Sequence, residues 1–329
     1  MMKMLNEVDK LVLSLIEEKM SINDISYLLQ LNYQTIYDCV AKLKMHGFNI
    51  LEKYYDNGNI GYYLSKSTSL SNKYKNTIIT RSDENEFDLM LLSDYHLGSF
   101  YETGKLIEEI YDYCAKRNIH IVLNLGDFVE GVVNLQNTKV PWDEQIYHAL
   151  KNHPMCNDIL TFMLFGNHDH SLLVNFGLDI RTVIKNMRGD IIPLGFGFSK
   201  VNIKDDEIIM EHPLGSNKNQ HGSFSNKIIL RGHGHESKII CDGNNYIFKL
   251  PSLSNLNFNK SNFPGASLMH LKMSKGNIIY VTLEELSIIN NKIYTVNETK
   301  VFTGRGKDYS DSKIISNEED YQKILRKVK

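Results

Sequence analysis

Short apolar runs that end directly in polar residues recur through the middle of the chain. Runs of this length predict buried strands, and the amphipathic segments between them, at residues 104–117 and 142–151, predict helices. Alternation of strand and helix implies a parallel sheet, in which the carboxyl ends of the strands meet at one edge. The polar residues after the runs should therefore converge. The runs are 87–93, followed by Asp94 and His96; 119–125, followed by Asp127; and 160–165, followed by Asn167, His168 and Asp169.

Two further runs repeat this pattern later in the chain. Residues 207–211 end in His212, and residues 227–231 end in His233 and His235, which alternate with glycines. Near the end of the chain, three apolar stretches separated by turn residues predict antiparallel strands that complete a second sheet. We therefore expect an α/β (α+β) fold in which the ends of several strands carry candidate ligands. The three stretches are 266–273, 277–283 and 287–295.

The first 65 residues combine a helical rhythm with a hairpin signal. Apolar spacing predicts three short helices, with Ser21 as the cap of the second, and Asn57-Gly58 predicts the turn of a hairpin. This segment resembles the winged helix-turn-helix domains of bacterial regulators over residues 5–65. The predicted helices cover 7–18, 21–29 and 33–45, and the predicted strands cover 48–53 and 60–64.

In a winged helix-turn-helix domain, the exposed side chains of the third helix would face the major groove of DNA. Acidic residues outnumber lysines over residues 1–65, which argues as strongly for a module that docks a protein or dimerises. DNA, a protein partner and a homodimer therefore all stay open. The candidate DNA contacts are Tyr33, Gln34, Tyr37, Lys42 and Lys44.

Composition narrows the class of protein. The 329 residues carry 37 Lys and Arg against 39 Asp and Glu, so no global basic field points to nucleic acid. We find no apolar run long enough to span a membrane and no Cys-x-x-Cys pair, which favours a reducing cytoplasm and argues against a membrane partner. We expect four segments: the winged helix-turn-helix at 1–65, a linker at 66–85, a larger domain at 86–300 and a polar, basic tail at 301–329.

The ordered motifs DYH, GDFVE, GNHD, a single His and GHGH resemble those of the calcineurin-like metallophosphoesterase superfamily. The resemblance covers about residues 86–285, including a loop at 250–254, and implies a four-layer sandwich of two mixed sheets flanked by helices. It also implies two metal sites that share Asp127. The ligands would be Asp94, His96, Asp127 and His235 for one metal, and Asp127, Asn167, His212 and His233 for the other.

These carboxylate, imidazole and amide donors suit two divalent transition-metal ions, with Mn as the first choice and Fe or Zn as alternatives. A water between the ions would become the hydroxide that attacks phosphorus. By resemblance, His168 would protonate the leaving oxygen and Asp169 would orient His168. His170 and His221 lie beside the ligand motifs and are candidates for substrate contact.

The sequence thus predicts a metal-dependent hydrolase of phosphate esters. The winged helix-turn-helix pattern favours a phosphodiesterase or nuclease that acts on DNA. One alternative is a phosphomonoesterase whose N-terminal domain docks a protein. Another is a DNA-binding regulator or scaffold without catalysis, against which the complete ligand set argues.

Overall fold

The structure is a computed structural model of the chain. It describes residues 5–45, 48, 50–64, 77–79, 85–215, 227–242, 245–255, 263–274, 276–289, 292–303 and 313–315. Their helices are α1 Glu7–Glu17, α2 Ile22–Leu29, α3 Tyr33–Met45, α4 Gly104–Lys116, α5 Gln145–Asn152, α6 Asn167–Phe176 and α7 Ile180–Met187.

The strands form two mixed sheets. Their bounds are β1 Ile50–Tyr55, β2 Ile60–Leu64, β3 Thr77–Ile79, β4 Glu86–Leu92, β5 Ile121–Leu125, β6 Leu160–Phe165, β7 Ile191–Phe196, β8 Phe198–Ile203, β9 Asp206–Glu211, β10 Ile228–Arg231, β11 Lys238–Asp242, β12 Asn245–Lys249, β13 Gly265–Ser274, β14 Asn277–Ile289, β15 Lys292–Phe302 and β16 Lys313–Ile315.

The first sheet has the order β16-β15-β14-β13-β4-β5-β6-β7. Strands β4, β5 and β6 are parallel, as the alternation of apolar runs and helices predicts, and β7, which was not predicted, continues the parallel arrangement. Strand β13 pairs antiparallel with β4. Successive side chains of a strand point to opposite faces. Leu89 and Leu91 of β4 accordingly join the core between the sheets, whereas Met90 and Leu92 join the core under α4 to α7.

The second sheet has the order β11-β12-β10-β9-β8-β3-β1-β2. Strands β9, β10 and β12 are parallel, so the polar residues after β9 and β10 leave the sheet at one edge. The inner face supplies Ile208 and Met210 to the core between the sheets, and the outer face carries a small cluster of Ile209, Ile229 and Ile247. Two mixed sheets, as expected, enclose the main core.

The N-terminal helices and hairpin match the predicted order of elements. Ser21 caps α2, since its hydroxyl accepts from the Asp24 amide and the Asp24 carboxylate accepts from the Ser21 amide. The hairpin is joined to the second sheet by β3, which lies within the segment predicted as a linker and pairs with both β1 and β8. Val12, Ile16 and Ile36 therefore belong to the same core as the two sheets.

This N-terminal unit, residues 5–64, contacts the amino ends of the parallel strands. A Cβ built on Gly189, just before β7, would lie 2.1 Å from the Tyr37 ring, so α3 lies directly on that backbone. Gly58, at φ +73° in the hairpin turn, would place a Cβ 2.1 Å from the Asp158 carbonyl before β6. With a rise of about 3.3 Å per residue, a strand such as β6 separates this edge from its carboxyl end by roughly 20 Å.

Several elements differ from the predictions in their bounds. Strand β14 continues to Ile289, so the stretch predicted at 287–295 is divided between β14 and β15. Residues 313–315, inside the predicted tail, form β16 at the edge of the first sheet. The rest of the tail beyond residue 303 lies outside the described residues, as does His221. Among the helices that the structure describes, none is both long enough and apolar enough to cross a bilayer.

The buried ring of His153 generates a prediction about acid stability. It packs against Tyr95, Tyr111 and Phe128, and burial together with Arg188 lowers its pKa from 6.5 to about 3. Because the unfolded chain binds this proton below pH 6.5 and the folded chain does not, the free energy of unfolding should fall by about 1.4 kcal/mol per pH unit over that range. His153→Gln should flatten this dependence in urea unfolding measured between pH 7 and pH 4.

His270 provides the control with the opposite sign. Its ring contacts Asp88 at 2.6 Å and Glu284 at 2.8 Å, and these carboxylates raise its pKa above 6.5 against the effect of burial. Its contribution to stability is present below pH 6.5 and is lost as pH rises through the raised pKa. His270→Gln should therefore leave the acid dependence in place. Equal acid dependence in wild type and His153→Gln would contradict the prediction.

Candidate metal centre

Strand ends of both sheets bring the seven candidate ligands together. In the first sheet they follow β4, β5 and β6, and in the second they follow β9 and β10. The predicted convergence at one edge therefore holds for strands that are far apart in the chain. In strand order, the ligands are Asp94 and His96, Asp127, Asn167, His212, and His233 and His235.

Most of these ligands have a backbone conformation that side chains disfavour. A positive φ crowds the Cβ against the backbone, although Asp and His tolerate it better than most residues. Such conformations persist only where the surroundings enforce them, and they cluster at functional sites. The affected ligands are Asp94 at φ 55°, His96 at 48°, Asp127 at 53°, His233 at 73° and His235 at 52°.

The first group of ligands consists of Asp94, His96 and His235. The His235 Nε2 lies 3.0 Å from the Asp94 Oδ1, and the His96 Nε2 lies 3.9 Å from the same oxygen. The two Nε2 atoms are 3.3 Å apart. Asp94 and His96 are buried. One carboxylate oxygen and two imidazole nitrogens thus face a common point.

The second group consists of Asp127, Asn167, His212 and His233. The His212 Nε2 lies 3.0 Å from the Asp127 Oδ2 and 3.2 Å from the Asn167 Oδ1. The Asn167 Oδ1 is also 2.9 Å from the His233 Nδ1. The same Asp127 oxygen is 3.9 Å from the His96 Nε2, so Asp127 lies between the two groups.

The far nitrogens of two rings fix their tautomers. The His212 Nδ1 lies 2.7 Å from the Leu125 carbonyl, which can only accept, so this nitrogen carries the proton. The His96 Nδ1 lies 2.9 Å from the Glu130 carboxylate, which orients that ring in the same way. In the neutral rings, both Nε2 atoms therefore turn lone pairs toward carboxylate oxygens. Buried acceptors that face one another require a proton or a cation between them.

The pKa shifts of the centre also indicate that a proton or a cation is required between these groups. Burial would raise the pKa of Asp127, but His212, His168 and His96 lower it far below its usual range. Burial would lower the pKa of His212, but Asp127 raises it to about 9. The Asp94 Oδ1 is buried, and it faces the Nε2 atoms of His235 and His96. A set of hard oxygen and imidazole donors with such an oxygen fits a divalent cation, which would bind by displacing protons.

His168 lies beside the ligands, but Asp169 does not orient its ring as the resemblance implies. The His168 Nδ1 lies 2.6 Å from the Glu130 carbonyl, and its amide donates to Asp127 at 2.9 Å. The Asp169 carboxylate accepts from the amides of Phe128, Val129 and Gly166. Asp169 therefore fixes the loop after β5 and the start of α6, whereas the Glu130 carbonyl orients the His168 ring. Burial and repulsion by Asp127 raise the pKa of Asp169 to about 7 despite those amides.

Two glycines permit the close approach of these elements. A Cβ on Gly166 would lie 2.2 Å from the Asp127 Oδ1 and 2.6 Å from the His212 Nε2. A Cβ on Gly126, at φ +105°, would lie 2.7 Å from the His212 Nδ1. Each glycine directly precedes a ligand in the chain. A side chain at either position would displace His212.

The remaining predicted contacts are distributed differently. His170 lies on the first turn of α6 beside the centre, and its ring packs against Phe196 at 5.0 Å. In α3, the Tyr37 ring lies on Gly189, the Tyr33 hydroxyl donates to Asn23 at 2.8 Å and Gln34 donates to Asp38 at 3.0 Å. Lys42 forms an ion pair with buried Asp9. The side chain of Lys44 lies outside the described residues, and DNA contact by α3 stays a prediction.

Two supporting residues were not predicted from the sequence. Glu130 binds His96 through its carboxylate and His168 through its carbonyl, and the signal for it was the final Glu of the GDFVE motif. Ser252 donates from its hydroxyl to the Asp94 carbonyl at 2.9 Å, and the Leu253 amide donates to Ser93 at 3.0 Å. The loop at 250–254, recognised only as a motif, thus holds the turn that carries Asp94.

Residues 87–281 match the family model of the calcineurin-like phosphoesterases. Among solved structures, the chain is similar to Yfce, a phosphoesterase from E. coli, at 15% identity over 64% of this chain and 98% of that one, with a TM-score of 0.42. A novel archaeal phosphodiesterase is 16% identical over 61% and 99%, with a TM-score of 0.38. Vacuolar Protein Sorting 29 from Cryptosporidium parvum is 15% identical over 71% and 100%, with a TM-score of 0.36. No curated protein matches the chain.

The matched segment is more than half of the 329 residues. The chain therefore belongs to the calcineurin-like phosphoesterase family and is a hydrolase that acts on phosphate esters. Members of this family use divalent metals, and the clustered Asp and His groups of this chain could bind them.

The double role of Glu130 predicts a selective effect of its substitution. Glu130→Gln removes the charge that holds the proton on the His96 Nδ1, so the ligand nitrogen becomes less basic and less well oriented. We expect metal affinity to fall by about 10- to 100-fold, as for other supporting carboxylates of metal-bound histidines. Isothermal titration with Mn²⁺ would measure the change.

Glu102→Gln is the matched control. Glu102 is also a partly buried carboxylate near the centre, but it binds Lys139, His148 and the Gly98 amide. We expect its substitution to leave Mn²⁺ affinity within about twofold of wild type, since it touches no ligand. Equal losses in both variants would show that Glu130 acts only through general stability.

Proposed function

We propose that this protein is a dinuclear metal-dependent phosphodiesterase that acts on nucleic acid, with DNA as the first substrate to test. The observation that carries the proposal is the position of Asp127 between two groups of inward-facing imidazole nitrogens. A shared carboxylate is what two cations at one phosphate require. The complete donor set argues against a scaffold without catalysis.

The chain offers a ligand set for each of two divalent ions, for which Mn is the first candidate to test and Fe or Zn are the alternatives. Asp94, His96 and His235 would hold one ion and Asn167, His212 and His233 the other, with Asp127 shared. When bound, the ions supply acidity to a water nucleophile and positive charge to the phosphate oxygens. The turns at positive φ hold the ligand atoms in place before the ions bind.

His168 is the candidate general acid. Its Nδ1 proton is held by the Glu130 carbonyl, so the Nε2 is the atom that gains or gives up a proton. The ring packs edge-on against His96 at 4.5 Å between centroids and remains partly accessible to solvent. From this position, the Nε2 can donate a proton to the leaving oxygen of an ester bound at the centre.

The accessibility of the centre favours a diester within a longer strand. His233 is exposed, and Asn167 and His168 are partly exposed, so substrate can reach the ligands from solvent. The proposal places nucleic acid at the metal centre and does not depend on α3, whose Tyr37 and Lys42 already have partners inside the chain. Whether the N-terminal unit also binds DNA or a protein is a separate prediction.

The test compares Mn-dependent hydrolysis of bis-p-nitrophenyl phosphate, p-nitrophenyl phosphate, and single- and double-stranded DNA. We expect diester and DNA cleavage, and we expect His168→Asn to lower kcat by about 10²- to 10⁴-fold through the loss of proton donation. His120→Asn is the matched control, because His120 lies before β5 at the opposite edge and bonds to the Asp158 carbonyl.

Each outcome separates two of the hypotheses. Turnover of the monoester alone would replace the proposal with a phosphomonoesterase. Absence of all turnover in protein that holds metal would revive the scaffold. Equal losses in His168→Asn and His120→Asn would remove His168 from its catalytic role.

A further inference from the structure

A surface beside the metal centre carries large exposed apolar side chains among polar ones and is not used in the chemistry described above. It consists of residues 97–102 and 131–145, and we call it the rim wall. Phe100 is 68% exposed, Leu135 is 71% exposed and Trp142 is 37% exposed. Exposed large apolar side chains that are grouped on one surface mark a binding site more often than singly scattered ones do.

Both segments of the rim wall begin at residues of the centre. The Ser99 amide donates to the His96 carbonyl at 3.1 Å, and the next residue is Phe100. The other segment begins directly after Glu130, which orients His96 and His168. The wall is therefore fixed to the ligands by short stretches of backbone.

The rim wall is held rigidly by hydrogen bonds. The buried Gln145 side chain accepts from the Gly131 amide at 2.7 Å and donates to the carbonyls of Gly131 and Val140, which closes the second segment. The Phe100 amide donates to the Asn137 carbonyl at 2.9 Å, which joins the two segments. Phe100 is thus exposed on an ordered support, where little side-chain or backbone freedom remains to be lost on binding.

An aromatic stack extends the wall toward α6. The rings of Trp142 and Phe176 are parallel, with centroids 3.8 Å apart, and each remains more than a third exposed. Phe176 ends the helix that Asn167 begins. At about 1.5 Å per residue, this stack lies roughly 15 Å from that ligand, a distance of two or three nucleotides along an extended strand.

We propose that the rim wall is a stacking platform for the unpaired bases of a single-stranded nucleic acid whose phosphodiester lies at the metal centre. This inference rests on the proposed function and names its substrate class. Aromatic faces bind bases of any sequence. The bases of a single strand are free to stack on them, whereas the bases of a duplex are already stacked on one another. A second copy of the chain seated on this wall would obstruct the same centre, so nucleic acid is the occupant that its position favours.

The test measures binding without turnover. Trp142 is the only tryptophan of the chain, so its fluorescence reports occupancy of the wall directly. Wild-type protein in EDTA is titrated with a single-stranded oligodeoxyadenylate and with an abasic strand of equal length, which has the same phosphates but no bases. Sedimentation of the free protein is measured in parallel.

We expect the oligodeoxyadenylate to change the fluorescence of Trp142 and to bind more tightly than the abasic strand. Phe100→Ala should weaken binding of the base-bearing strand by about 5- to 100-fold and of the abasic strand by less than about twofold. Tyr27→Ala is the matched control, because Tyr27 is 85% exposed but belongs to α2 in the N-terminal unit. It should change neither affinity.

Several results would overturn the inference. Equal affinity for the two strands, or no change of the base-bearing strand in Phe100→Ala, would remove the platform. A dimer that dissociates in Phe100→Ala while strand binding is unchanged would assign the wall to contact between copies. If the strand binds through Phe100 but no diester is hydrolysed with Mn²⁺, the proposed function fails and the platform stands. If diesters are hydrolysed with Mn²⁺ but the base-bearing and abasic strands bind equally, the proposed function stands and the platform fails.

Discussion

The structure depends on buried hydrogen-bond acceptors that face one another where the strands of the two sheets end. Leu125 and Glu130 hold the Nδ1 atoms of His212 and His96, so the Nε2 atoms of both rings turn toward Asp127. In a buried site, this arrangement is unfavourable until a proton or a cation lies between the imidazole nitrogens and the carboxylate oxygens. The Leu125 carbonyl and the Glu130 carboxylate, which lie outside the ligand set, should therefore contribute to the affinity of the centre for cations.

The rest of the molecule maintains this arrangement. The core between the sheets fixes β4, β5 and β6 against β9 and β10, whose last residues lead into the ligands. The chain then turns through left-handed conformations at five ligand positions, and their cost is offset by the packing of the surrounding loops. The N-terminal unit extends the second sheet and contacts the amino ends of the parallel strands, opposite the ligands. It therefore contributes to stability without touching the metal centre.

Sequence patterns predicted the parts of this arrangement that depend on local periodicity. Apolar runs located β4, β5, β6, β9 and β10, and the residues that follow them supplied all seven candidate ligands. The pairing of β3 with β1 and β8 was not predicted, because three residues between polar segments have no distinctive period. The role of Asp169 was misjudged because adjacency in sequence does not show which amides a carboxylate will meet after folding. The Glu130 contacts likewise exist only in three dimensions.

The most direct test of this account is the metal content of the purified protein after equilibration with Mn²⁺, measured by inductively coupled plasma mass spectrometry. The shared position of Asp127 predicts two ions per chain in the wild type and the loss of both in Asp127→Asn. It also predicts that Asn167→Ala, which removes a ligand of one group only, retains a single ion. One ion or none in the wild type, or two ions in Asp127→Asn, would contradict the account.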